Sequence, residues 1–182
     1  PDQQLVVHVG HLNRNRLDEA EMAALARLPR RSVVIVGSTS TPQDEALVRG
    51  LEAAGCRVIA RYLPHIEHLY QAADAYLFPT RAQRSSIGVP LSVLEALACG
   101  VPVVSTRFEG LPRLFPAAAQ VRFFSSLAQL ERTLGELPRA PDPGARQLVQ
   151  HLDWNGVAAA VERHLLALAA RAQLGEPSSA RA

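Results

Sequence analysis

Glu95 is the residue whose type and position ask most directly for a chemical explanation. It lies in the run IGVPLSVLEALACGVPVVS, residues 87–105, which reads as a loop, a short helix, a glycine stop and a buried strand. Pro90 suits the first helical turn, where its missing N–H would have had no partner. Leu91, Leu94, Leu97 and Ala98 predict an apolar stripe, ended by Gly100 and Pro102. Such a helix needs no acid, and an unpaired buried carboxylate is costly. Glu95 is therefore expected to face a cleft and hold something. The backbone N–H groups near Leu91 and Ser92 form an anion seat at the same helix end. A carboxylate one turn below an anion seat suits a ribose joined to a phosphate. Two further loops carry guanidinium groups, whose forks match phosphate oxygens: Gly10–Leu17 with Arg14 and Arg16, and Pro79–Pro90 with Arg81 and Arg84.

The elements that must position these groups alternate along the chain. Strand-like runs fall at Leu5–Val9, Val33–Gly37, Arg57–Arg61, Ala75–Phe78, Pro102–Thr106 and Val121–Phe124. Most are rich in Val and Ile without polar alternation, as in strands buried on both faces of a parallel sheet. Helical patterns separate them at Asp18–Leu28, Gln43–Ala54, Ile66–Ala73, Leu91–Cys99 and Leu127–Leu137. A broken segment, Pro138–Gly144, leads to helices near Ala145–Leu152 and Trp154–Arg171. The fold class is α/β: a Rossmann-like, doubly wound parallel sheet of about six strands with helices on both faces. In the order 3-2-1-4-5-6 the topological switch lies between strands one and four, where the two Arg-bearing loops meet.

Composition narrows the function classes. The 182 residues, 48% hydrophobic, suffice for one well-buried domain. Residues 1–171 are assigned to it and 172–182 to a disordered tail. All 19 basic residues are Arg, the net charge is +2, and aromatics make up 5%. That pattern argues against a nucleic-acid surface. Without Lys there is no Walker-type phosphate loop, and GHLNRNR is not GxGxxG, which argues against a nicotinamide dehydrogenase. Cys56 and Cys99 are read as buried free thiols; no ligand spacing suggests a metal, and no cofactor is expected. No signal peptide and no bilayer-length apolar run is present, so a cytoplasmic location is expected. No arrangement for nucleophilic catalysis or paired-acid hydrolysis is identifiable. Other residues take structural readings: His8 as a core or cleft-edge side chain, His65 and His68 at a helix start, Trp154 as the anchor of the last helix.

These residues together resemble the C-terminal, donor-binding half of a GT-B glycosyltransferase, most like glycosyltransferase family 4. VVHVGHLNRNR resembles the family's first phosphate loop, LPHIEHLYQAADAYLFPT the segment before its second motif, and IGVPLSVLEALACGVPVVSTRFEG that motif itself. WNGVAAAVERHLLAL is similar to the Trp-containing last helix of these domains. The resemblance implies a metal-independent hexosyltransferase of carbohydrate biosynthesis that uses a nucleoside-diphosphate sugar. It implies that Glu95 binds the ribose hydroxyls and Arg16 neutralises the diphosphate, the two residues closest to catalysis. Gly10, His11, Pro90, Leu91 and Ser92 would lie along the phosphates, Leu63 against the nucleobase, and Gly110 in a loop near the donor. The acceptor would be held by an N-terminal domain not included in these residues. Such a fragment is expected to be inactive alone, and any peripheral membrane contact is expected through that missing half.

Three positions depart from the family pattern. The first Glu of the family's acid pair, which contacts the donor sugar, is Ile87 here. The Arg of the first loop is His11, a weaker and pH-dependent cation. Arg113 stands where many members have an acid. Glu109 is read as a surface acid beside Arg107, with the donor sugar as the alternative; for Glu95 the structural alternative is a salt bridge to Arg107 or Arg113. The loss at Ile87 leaves a second reading, an inactive nucleotide-binding or scaffolding module of the same fold. A nucleotide-sugar epimerase fits less well, because its cleft acids and His are not evident.

Overall fold

Apolar runs without polar alternation pair in parallel and require cover on both faces. The computed structural model, which describes residues 3–82, 87–116, 119–138 and 142–173, has that architecture. Six strands, β1 (Gln4–Gly10), β2 (Arg31–Gly37), β3 (Arg57–Ile59), β4 (Ala75–Phe78), β5 (Val103–Thr106) and β6 (Val121–Phe124), lie in the order β3-β2-β1-β4-β5-β6. Every pairing is parallel.

Side-chain alternation in β4 divides the core. Ala75 and Leu77 join α1 (Glu19–Ala26), α2 (Glu45–Ala53) and α6 (Leu127–Gly135) through Met22, Leu25, Leu47, Leu51 and Leu130. Tyr76 and Phe78 join α3 (Ile66–Ala72), α4 (Leu91–Ala98) and α7 (Pro143–Gln147) through Tyr70, Val93, Leu97 and Ala145. Asp18, Asp44 and Ser126 cap three of these helices, each side chain accepting a first-turn N–H. Gly100 stops α4 with φ 81°, a backbone conformation that a Cβ disfavours.

Several expectations are corrected. β3 ends at Ile59 rather than Arg61. The segment after Gly144 divides into α7 and a short 3-10 turn, Gln150–Leu152. A four-residue helix, α5 (Leu111–Leu114), was not anticipated, because LPRL is too short to show periodicity. The α4 stripe is displaced: Val93, Ala96 and Leu97 are buried, whereas Leu91 is 61% exposed and Ala98 is also exposed. The sheet takes the face centred on 93, 96 and 97, which leaves Leu91 at the rim.

The largest departure is α8 (Trp154–Gln173). Trp154 anchors nothing among the described residues; it is 89% exposed, in line with exposed Val157, Val161, Leu165 and Leu168. Their spacing of three and four is that of an amphipathic helix, and its apolar row is uncovered. No helix among the described residues is long and apolar enough to cross a membrane. Arg84, residues 139–141 of the broken segment and most of the expected tail, residues 174–182, lie outside the described residues.

Candidate functional site

The carboxyl ends of β1 and β4 carry the two loops expected to hold chemistry, with the end of β2 next to β1. After β1, buried Leu12 and Leu17 pin the two ends of a tight turn in which the Arg16 and Leu17 N–H groups both donate to the Asn13 carbonyl, at 3.1 Å. The turn presents Arg16 toward the β1–β4 crevice, where the Thr80 hydroxyl donates to the Arg16 carbonyl at 3.3 Å. Burial pushes the Arg16 guanidinium below its usual pKa. It has no carboxylate partner among the described residues.

The other arginines have different duties. Arg14 pairs with Glu19 at 3.0 Å and Asp44 at 3.4 Å. Arg81 meets Glu21 Oε1 at 2.6 Å and covers the Phe124 ring at 5.4 Å. The expected convergence of four guanidinium groups thus reduces, among the described residues, to Arg16. The reason is acid placement: Glu19, Glu21 and Asp44 lie on or beside the helices that flank the loops, and each takes the nearest arginine.

A cavity of about 340 Å³ opens on the β1–β2 side, lined by Val9, Gly37, Ser38, Tyr62, Leu63 and Glu95 among others. Glu95 is exposed to it from the second turn of α4. It makes neither of the salt bridges considered for it. Instead the Tyr70 hydroxyl donates to Glu95 Oε2 at 3.0 Å. The Tyr70 phenol is held well above its usual pKa, by burial first and by the nearby Tyr76 and Glu95 next, so it remains a donor. Oε1 of Glu95 has no partner among the described residues.

Tyr76 braces the same helix against β1. Its hydroxyl lies 3.1 Å from the Val9 carbonyl and 2.7 Å from Ser92 Oγ. A carbonyl only accepts, so the phenol donates there and the Ser92 hydroxyl donates to the phenol oxygen. Sequence reasoning missed both tyrosines; the available signal was a pair of aromatics with hydroxyls that burial would force to find partners. Pro90 is the residue before α4 and offers no side-chain cap. The N–H groups of Leu91 and Ser92, in the first turn, have no acceptor among the described residues.

The remaining predicted residues fall around this frame. Gly10 closes β1, pairs in register with Gly37, and accepts the Ser38 N–H at 2.8 Å. His11 Nδ1 lies 2.5 Å from Thr41 Oγ1, and burial followed by the Arg16 charge lowers its pKa. Leu63, half-buried, lines the cavity. Gly110 donates its N–H to the Gly88 carbonyl at 3.0 Å, and a Cβ there would crowd that oxygen at 3.0 Å. Ile87 is 59% exposed at the start of this loop.

Residues outside the cleft behave less uniformly. Cys56 is buried, its thiol pushed up to about 11, whereas Cys99 is only half-buried. His65 lies 3.1 Å from Glu67 and stacks on His68 at 5.3 Å. His8 is buried as expected, but only half satisfied. Nδ1 lies 2.9 Å from the Leu77 carbonyl, while Nε2 has no partner among the described residues. No group of three or more His, Cys, Asp or Glu side chains placed to hold a metal occurs among the described residues.

This geometry has counterparts. The family model described as "Glycosyl transferases group 1" matches residues 3–123. The D-inositol 3-phosphate glycosyltransferase of Mycolicibacterium smegmatis is 33% identical over 119 residues, 61% of this chain and 26% of that protein. The sulfoquinovosyl transferase of Arabidopsis thaliana is 27% identical over 117 residues, 64% of this chain and 22% of that protein. Among solved structures, sucrose-phosphate synthase from Thermosynechococcus elongatus superposes with a TM-score of 0.72 at 22% identity, covering 93% of this chain and 46% of that one. HepE of Anabaena, in complex with UDP and glucose, gives 0.71 at 15% identity, covering 90% and 48%. These structures share the fold, and this chain spans about half of their length and about a quarter of the curated relatives. With its Rossmann-like sheet matching GT-B neighbours and the family pattern running through about two thirds of its residues, the chain belongs to the group 1 glycosyltransferases.

Proposed function

We propose that residues 1–171 form the donor-binding domain of a glycosyltransferase, which moves a sugar from a nucleoside-diphosphate sugar to an acceptor held by a separate N-terminal domain. The observation that carries this reading is that three groups near the carboxyl ends of β1 and β4 lack partners among the described residues. They are Oε1 of Glu95, the guanidinium of Arg16 and the N–H groups of Leu91 and Ser92.

In this reading Glu95, oriented by Tyr70, accepts hydrogen bonds from the ribose hydroxyls, and Leu63 lies along the base. Gly10, His11 and Pro90 shape the phosphate path. Arg16 and the α4 amides stabilise the charge that develops on the departing diphosphate, electrostatic assistance from groups already in place. Neither Glu95 nor Arg16 acts as acid or base, and no metal is required. The length of the relatives supports an acceptor-binding partner domain, without which the chain does not catalyse transfer. The UDP and glucose named with HepE support a nucleoside-diphosphate hexose as donor class.

Calorimetric titration of the chain with UDP, GDP and ADP, repeated on Glu95→Ala and Arg16→Ala, tests the proposal. It expects one diphosphate to bind and both substitutions to weaken it. Ile87 in the loop before α4, 59% exposed and unable to accept a hydroxyl proton, favours a second reading, a catalytically inactive nucleotide-binding or scaffolding module. Absence of any binding by folded protein at millimolar nucleotide would overturn the donor-site assignment.

A further inference from the structure

The loop after β5 holds an acid in a strained backbone conformation. Glu109 has φ 35°, in the left-handed region that a Cβ disfavours. The turn is locked on either side. Phe108 is 3% exposed, edge-on to Phe78 at 5.4 Å, and Leu111 is fully buried. Their backbones close the turn: Phe108 N–H donates to the Thr106 carbonyl at 2.7 Å, and Leu111 N–H to the Phe108 carbonyl at 3.0 Å. Gly110 N–H then ties the turn to Gly88, in the loop that enters α4. Glu109 is thereby held over that loop; its Oε2 is 3.3 Å from where a Cβ on Gly88 would stand.

Strand order locates this carboxylate relative to the cleft. The cavity holding Glu95 lies at the ends of β1 and β2, Arg16 and the α4 N-terminus lie at the β1–β4 crevice, and Glu109 follows β5, on the far side of β4. Between residues 79 and 116 the only acids are Glu95 and Glu109. A ligand with its ribose at Glu95 and its diphosphate at Arg16 therefore continues toward Glu109. The group beyond that diphosphate is a sugar, whose hydroxyls are hydrogen-bond donors. A carboxylate accepts two adjacent hydroxyls at once, and Ile87 in the same loop accepts none.

We propose that Glu109 is the sugar-recognising carboxylate of this site, accepting hydrogen bonds from neighbouring hydroxyls of the donor's hexose. The assignment rests on the donor-site reading above. Calorimetric titration separates the two: wild type, Glu109→Gln and Glu109→Gly are each titrated with UDP, GDP and ADP, and with UDP-glucose, GDP-mannose and ADP-glucose. For the base that binds, both variants are expected to hold the free diphosphate within about twofold of wild type and to lose roughly tenfold in affinity for the nucleotide sugar. Glu109→Gly is also expected to melt no lower than wild type, since glycine relieves the left-handed strain, so a folding defect cannot imitate the result. Unchanged affinity for the nucleotide sugar would overturn the assignment to Glu109 and leave the donor site standing, and so would an equal loss for both ligands. No nucleotide binding by wild type would remove the donor-site reading and this assignment with it.

Discussion

Arg16 and Arg81 stand in loops on either side of the same crevice, yet their environments predict opposite responses to substitution. Arg16 is partly desolvated and has no carboxylate partner among the described residues. A charge in that state contributes nothing to folding until an anion arrives. Arg16→Met keeps the aliphatic stem and should leave the stability of the free chain within about 0.5 kcal/mol of wild type, or raise it. Diphosphate binding should suffer: a charge-assisted hydrogen bond contributes about 1.5–3 kcal/mol, so losing even one costs roughly 10- to 150-fold in Kd. Arg81 reverses the pattern. Its partner Glu21 is 8% exposed and has one carboxylate oxygen without a partner among the described residues. Breaking a fully buried pair costs about 3–5 kcal/mol. Because Arg81 is itself 45% exposed, solvent screening reduces the expectation for Arg81→Ala to about 1–2 kcal/mol, with diphosphate affinity within about twofold of wild type. Urea denaturation of the free chains gives the stabilities, and calorimetric titration gives the affinities. The reasoning is refuted if Arg16→Met destabilises by more than Arg81→Ala, or if Arg81→Ala is the variant that loses the nucleotide.

Four further outcomes follow from single environments. His8, fully buried with its pKa lowered to about 4 from 6.5, binds its proton less tightly folded than unfolded, so stability is retained above pH 6.5 and declines as pH falls toward 4. The 2.5-unit difference corresponds to about 3 kcal/mol, and denaturation midpoints across that window should flatten in His8→Gln. Tyr70→Phe removes the donor that orients Glu95; nucleotide affinity should drop about three- to tenfold at a stability cost near 1 kcal/mol, and wild-type affinity would show that Glu95 needs no such orientation. Trp154→Ala should change the stability of this chain by less than about 0.5 kcal/mol, because the ring is 89% exposed. Leu97→Ala, at a fully buried position, should cost about 2–5 kcal/mol in the same melts.

Much of the fold was legible in the residues. Continuous Val and Ile runs place the strands because a strand buried on both faces tolerates no polar alternation, and β4 and β6 fall on the residues expected, Ala75–Phe78 and Val121–Phe124. Alternation of strand and helix then leaves few topologies, and the observed order is the expected one. Glu95 was visible as well, as an acid that its helix did not need. Tertiary structure decided which groups are free and which are spoken for. Arg14, Arg16 and Arg81 look alike in the sequence, and only the packing of α1 and α2 beside the loops assigns acids to two of them. Tyr70 and Tyr76 lie in apolar patterns that conceal where their hydroxyls go. The face of α4 that meets the sheet, one position away from the leucine stripe, depends on the approach angle of the helix rather than on its composition. Trp154 shows the same limit from the other side: apolar spacing declares that a helix face is suited to burial, and only the fold around it decides whether it is covered.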